Sequence, residues 1–138
     1  MTDVHTPEKR SYNMSRIRSK NTKPEMDVRK FLFANGLRYR LHSKYLPGKP
    51  DIVFPGRHTV IFIHGCFWHG HEGCKYFKVP ETRREWWLAK INLNKQKDRE
   101  NLEKLEADGW NVIIIYECGL RSKTKDETLY YLLKLLHT

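Results

Sequence analysis

Residues 59–74 read Thr-Val-Ile-Phe-Ile-His-Gly-Cys-Phe-Trp-His-Gly-His-Glu-Gly-Cys, and they constrain this chain more than any other stretch. The run opens as a β-branched, apolar strand pattern and breaks at Gly65 into a loop of metal-ligand types and two aromatics. Three of the seven histidines and two of the three cysteines fall between His64 and Cys74. Just upstream, Asp51-Ile-Val-Phe54 turns at Pro55-Gly56 and runs back as Thr59–Ile63, the pattern of a β-hairpin. Asp51 opens one strand and His64 closes the other. The hairpin can therefore bring both to the same end.

The rest of the chain frames that hairpin. Residues 1–22 are polar and basic, with Arg10, Arg16 and Arg18 around Met14 and Ile17, and read as a short helix or arm. Thr22-Lys-Pro-Glu25 matches a capping box with proline in the first turn, and Gly36 sits where a helix closes. Glu25 thus has a plain role as a cap residue beside any catalytic one. Leu37–Leu41 reads as a first strand. Thr82-Arg-Arg-Glu85 is a second capping box, opening a polar helix to Ala107 with Trp87, Leu88, Ile91, Leu102 and Leu105 inward. Asp108-Gly109 stops it. Trp110–Tyr116 is nearly continuous in apolar residues, the pattern of a central strand covered on both faces. A last amphipathic helix spans 125–136. The order α-α-β-β-β-α-β-α predicts one α/β domain over 1–138, a mixed central sheet flanked by helices.

A formal net charge of +10 and a pI of about 9.6 favour a polyanionic partner. Lysines and arginines beside phosphates release condensed counterions and gain affinity. No run of 18 apolar residues is present, so no membrane-spanning helix is expected. The N-terminus lacks the apolar core of a signal peptide, which predicts a cytoplasmic protein with reduced thiols. Three cysteines also make an incomplete disulfide framework.

Cys66, His71 and Cys74 are spaced C-x4-H-x2-C, and Cys118 follows the Trp110–Tyr116 strand. Together they form a Cys₃His set of the closed, structural zinc type. His64 and His69 are the rival fourth ligands. Buried thiols without metal are the plain alternative, but Gly65, Gly70 and Gly73 leave the loop little apolar mass to bury. A closed tetrahedral site has no open position for chemistry, so Asp51, His64, His69 and Glu25 remain for a reaction centre. Asp51 is a natural ligand for a hard cation such as Mg²⁺, although an aspartate here also suits a turn. A histidine beside it could serve as general base, since its unperturbed pKa lies near neutrality.

Pro50-Asp51, a hairpin, and a polar signature ending the next strand resemble the restriction-endonuclease-like nucleases, with Phe62-Ile63-His64 where Glu-x-Lys is usual. With Arg10-Ser-Tyr-Asn-Met14, Leu46-Pro-Gly-Lys-Pro-Asp51, the string Phe-Ile-His-Gly-Cys-Phe-Trp-His at 62–69, Phe77-Lys-Val-Pro80 and Tyr116-Glu-Cys118, the chain closely resembles the very short patch repair endonucleases. That resemblance implies a restriction-endonuclease-like core and a Mg²⁺-dependent nick 5′ to the T of a T:G mismatch left by deamination of 5-methylcytosine. It implies Asp51 and the Ile63 carbonyl as Mg²⁺ ligands and His69 as general base, with His64 and Glu25 acting around metal-bound waters. Phe67, Trp68 and Trp87, with Trp86 adjacent, would wedge into the base stack of double-stranded DNA, and Met14 would enter from the opposite groove. Arg10, Arg16 and Arg18 would hold the backbone, and the enzyme would act as a monomer. A restriction-type double-strand cutter and a non-catalytic, zinc-stabilised DNA-binding module are the competing expectations.

Overall fold

The computed structural model describes residues 22–137. Met14, Arg10, Arg16, Arg18 and the expected N-terminal arm lie outside the described residues. Helix α1, Lys23–Ala34, starts at an N-cap Thr22 whose Oγ1 accepts the Glu25 N–H at 3.4 Å. It closes at Gly36, φ +82°. The Leu37 N–H bonds the Leu32 carbonyl and the Gly36 N–H the Phe33 carbonyl, each at 3.0 Å, which satisfies two orphan carbonyls. Helix α2, Arg84–Ala107, ends the same way, with Gly109 at φ +85° and the Trp110 N–H on the Leu105 carbonyl at 3.0 Å.

The start of α2 departs from the expected capping box. The residue before the helix is Arg83, left-handed at φ 58° and without a side-chain cap. The helix begins one residue later than Thr82 would require, and the Arg83 guanidinium lies 4.7 Å over the Trp86 ring. Of the residues expected to face inward, Ile91 and Leu105 are buried, while Leu88 is exposed.

Four strands form one sheet in the order β1 (Arg40–Leu41), β2 (Ile52–Phe54), β3 (Thr59–His64), β4 (Asn111–Tyr116). β1–β2 and β2–β3 are antiparallel, and β3–β4 is parallel. A parallel neighbour needs a crossover, and α2 is that crossover. β4 does not take the central place its apolar run suggested. Among the described residues it lies at the sheet edge, with Ile114 37% exposed. An apolar run reports burial by whatever lies above and below, and says little about strand order.

Helices α1 and α3 (Lys125–Leu136) cover one face of the sheet, where Val28, Leu32, Ile52, Ile61, Leu129 and Leu132 are buried together. α2 covers the other, with Leu105 on Val53, Val60 and Phe62. Each fully buried aliphatic side chain contributes roughly 1.5–3 kcal/mol, so this three-layer core fixes the sheet firmly. None of the described helices is long and apolar enough to cross a membrane.

Candidate active site and metal centre

Strand alternation sets the site. Val53 and Phe62 face α2, so Asp51 and His64, two residues away from each, face the same side at the open end of the hairpin. The Asp51 N–H extends the ladder to the Ile61 carbonyl at 3.1 Å. Its Oδ2 accepts the Ile63 N–H at 2.8 Å. The N–H and C=O of one strand residue project to the same side, so the Ile63 carbonyl also faces Asp51.

Glu25 arrives from α1 and is 2% exposed. Its Oε2 lies 2.7 Å from His42 Nε2 and 3.4 Å from Arg29. One ligand atom from each of Glu25, His42 and Asp51 fits within 4.8 Å of the others. Burial pushes the Asp51 carboxyl up to about 6, against the Ile63 hydrogen bond, and the neighbouring Glu25 charge adds to the rise. A buried carboxyl at a strand end, raised by burial and by a second carboxylate beside it, belongs to a donor set that a hard divalent cation would relieve. The residues fit such an ion.

On the α2 side, the rings of His64 and His69 stack at 3.7 Å and 4°. His69 Nδ1 is 2.7 Å from Asp98 Oδ2. His64 is buried, and its Nδ1 finds no hydrogen-bond partner among the described residues. Burial, followed by the adjoining His69, lowers its pKa to about 4, which keeps the ring neutral. A cavity of about 570 Å³ opens in front of Asp51, His64, His69 and Asp98.

Asp98 and His42 are the site residues that the sequence pattern missed. His42 follows β1 in a left-handed conformation, φ 47°, with its N–H on the Asp51 carbonyl at 3.1 Å. Asp98 carried a signal. With Ile91, Leu102 and Leu105 it occupies the inward stripe of α2, a carboxylate where the period asks for an apolar residue.

The second cluster lies one loop further on. Cys66, His71, Cys74 and Cys118 bring ligand atoms within 4.8 Å of one another. Cys118 Sγ is 3.4 Å from His71 Nδ1, and the Cys118 N–H bonds Cys66 Sγ at 3.3 Å. His71, not His64 or His69, joins the thiols. Burial pushes the Cys66 thiol up to about 12 and raises Cys118 as well, so a bound cation would favour the thiolate at both. The set fits a tetrahedral metal of the zinc type, whose bonds of roughly 2.1–2.3 Å require ligands this close. Gly70, at φ +59°, lets the loop lie on α2, where a Cβ would come within 2.8 Å of Ile91 Cγ2.

Four aromatic rings from the loop and the start of α2 form a group of their own. Phe67 meets Trp68 at 5.2 Å and Trp87 at 5.4 Å, and Trp87 meets Trp86 at 4.8 Å, all near edge-to-face. Trp68 and Trp86 are 37% and 46% exposed, whereas Phe67 and Trp87 are half-buried. Loop and helix aromatics thus converge, two of the rings exposed and two half-buried.

Residues 2–75 match the family model of the DNA mismatch endonuclease Vsr. The chain is 50% identical over 120 residues to the type II nicking enzyme V.XorIIP of Xanthomonas oryzae pv. oryzae, covering 87% of this chain and 88% of that protein. It is 50% identical over 123 residues to the type II nicking enzyme V.NmeAIP of Neisseria meningitidis, covering 89% and 87%. It is 45% identical over 131 residues to the DNA mismatch endonuclease Vsr of Escherichia coli, covering 94% and 83%. The expectation of a non-catalytic binding module gives way, and the chain belongs to the Vsr family of DNA mismatch endonucleases.

Proposed function

We propose that this protein nicks one strand of double-stranded DNA 5′ to the T of a T:G mismatch arising from deamination of 5-methylcytosine. It uses Mg²⁺ for the reaction and Zn²⁺ for structure. It works in the cytoplasm as a monomer, on a restriction-endonuclease-like core in which 1–138 is a single nuclease domain with a basic arm at 1–22. The observation that carries the reading is the hairpin end, where Asp51 and the His64–His69 pair face one cavity beside an aromatic group. A single site suffices for a single-strand cut.

Asp51, with the Ile63 carbonyl, would hold Mg²⁺, and Glu25 and His64 would order the waters around it. A Mg²⁺ ion there would offset the negative charge that builds on the phosphoryl oxygens. His69 is the general base: Asp98 engages Nδ1, which leaves Nε2 to take the proton of the attacking water. Asp98 positions that ring and fixes its tautomer. Neutral His64, stacked on His69, excludes water from the other ring face without adding charge. Phe67, Trp68, Trp86 and Trp87 supply flat surfaces for an opened base stack, with Met14 meeting the other groove. Arg10, Arg16 and Arg18 contact phosphates.

The test is substitution at the two central residues. Asp51→Ala and His69→Ala are each expected to abolish nicking of a T:G duplex while duplex binding and zinc content survive. Near wild-type nicking by Asp51→Ala with Mg²⁺ would rule out the hairpin end as the active site.

A further inference from the structure

The transition state of phosphodiester hydrolysis gathers negative charge, yet the protein presents mostly anionic and neutral groups to it. Asp51 and Asp98 line the cavity, with His42, His64 and His69 beside them. Among the described residues, the lysines that line the cavity are Lys44 and Lys49. Of the two, Lys49 has a backbone that demands explanation.

Lys49 sits in the left-handed region at φ 51°, where a side chain is unfavourable. It also precedes Pro50, whose ring disfavours helical conformations of either hand at the residue before it. The neighbourhood enforces the strain. Gly48, at φ +76°, is pressed onto α2 so closely that a Cβ would lie 3.1 Å from Asn101 and Phe62. The Lys49 N–H is tied to the Leu46 carbonyl at 3.0 Å, and Pro50 is fully buried. Strain of this kind persists where surrounding structure over-determines it, and it collects at functional sites. Here it fixes a lysine two residues before Asp51, at the rim of the cavity.

We infer that Lys49 is a further catalytic residue, its ammonium donating to a non-bridging oxygen of the scissile phosphate. The inference rests on the nuclease reading above. In the step, the water oxygen forms its bond to phosphorus and gives its proton to His69 Nε2. The P–O3′ bond breaks, and the departing oxygen takes a proton from solvent water. Lys49 exchanges no proton: it is a fixed point charge where the equatorial oxygens gain charge.

Four variants test this: Lys49→Gln, Lys49→Gly, Lys49→Arg and Lys44→Gln. Each is measured for single-turnover nicking at saturating enzyme and Mg²⁺, and for duplex binding without Mg²⁺. Lys49→Gln and Lys49→Gly are expected to lose rate by about 100-fold or more with affinity within about three-fold, as for other lost transition-state donors. Lys49→Arg, which keeps the charge, is expected within about ten-fold of wild type, and Lys44→Gln within about five-fold. Glycine relaxes the backbone strain, so a fast Lys49→Gly would show that only the turn matters and overturn the inference. Weakened binding with an intact rate would overturn it too, marking a general phosphate contact. So would a loss in Lys44→Gln that exceeds the loss in Lys49→Gln. Rates are compared on whichever duplex the wild-type protein nicks. Failure of T:G preference is thereby separated from failure of Lys49.

Discussion

His69 is held by Asp98 through a 2.7 Å contact between Nδ1 and Oδ2, a link between the cysteine- and histidine-rich loop and the middle of α2. Asp98→Asn keeps the shape but no longer favours the tautomer with a proton on Nδ1. In a base–orienter pair such a change costs up to about 10⁴-fold; for this half-exposed pair we expect roughly 10–1000-fold in single-turnover rate. Mismatch binding should be unchanged and the acid limb of the rate profile should move. An unaltered pH profile would reduce Asp98 to a structural partner.

The four-ligand cluster predicts a folding dependence on metal. Cys118→Ser should lose bound zinc and be destabilised by several kcal/mol (on the order of 3 or more), because Cys118 ties the loop at 66–74 to the end of β4. Metal analysis and thermal unfolding read this directly. Purified wild-type protein without zinc would contradict it.

The aromatic group predicts how a mismatch is distinguished. A T:G pair is nearly isosteric with a normal one, and unstacking is least costly at a mismatch. Trp68→Ala should cost about 1–3 kcal/mol on T:G duplex, by the usual worth of a stacked ring, and less on T:A duplex. Binding isotherms on the two duplexes decide it. Equal loss on both would mean that Trp68 only packs.

Asp51 predicts a pH effect on stability. Its carboxyl is raised to about 6 in the fold against an ordinary 3.8, so the native state binds more protons between those values. Its contribution to stability therefore falls as pH rises from about 4 to 6. His64, lowered to about 4, works oppositely, since stability is lost as pH falls from its ordinary 6.5. The slopes oppose one another in the wild type, and only a variant separates them. Asp51→Asn should stabilise the Mg²⁺-free, zinc-loaded protein at pH 7 by on the order of 1–3 kcal/mol and make no difference at pH 4. Denaturant titrations at both pH values are the check. A destabilised Asp51→Asn at pH 7 would contradict the assignment.

What the sequence made legible was whatever depends on residue type and short spacing. The hairpin was readable because Asp51 and His64 end strands joined by a four-residue turn, and the thiol cluster because its ligands are chemically distinctive. Both helix stops carried their glycines. The position of β4 was not readable, since a neighbour's identity is a tertiary fact that apolar content does not encode. His42 was hidden because it comes from coil, placed by its N–H on the Asp51 carbonyl. Asp98 was hidden among the charges of α2, although its place in the inward stripe marked it. Thr82 failed as a cap because the chain enters α2 one residue later.

The most direct measurement is strand-specific cleavage of a panel of T:G and matched T:A duplexes with varied flanks, with and without Mg²⁺. The account predicts a single nick 5′ to the mismatched T, absent without Mg²⁺ and absent from Asp51→Ala. Cleavage of both strands, or equal cutting of T:A duplex, would contradict it.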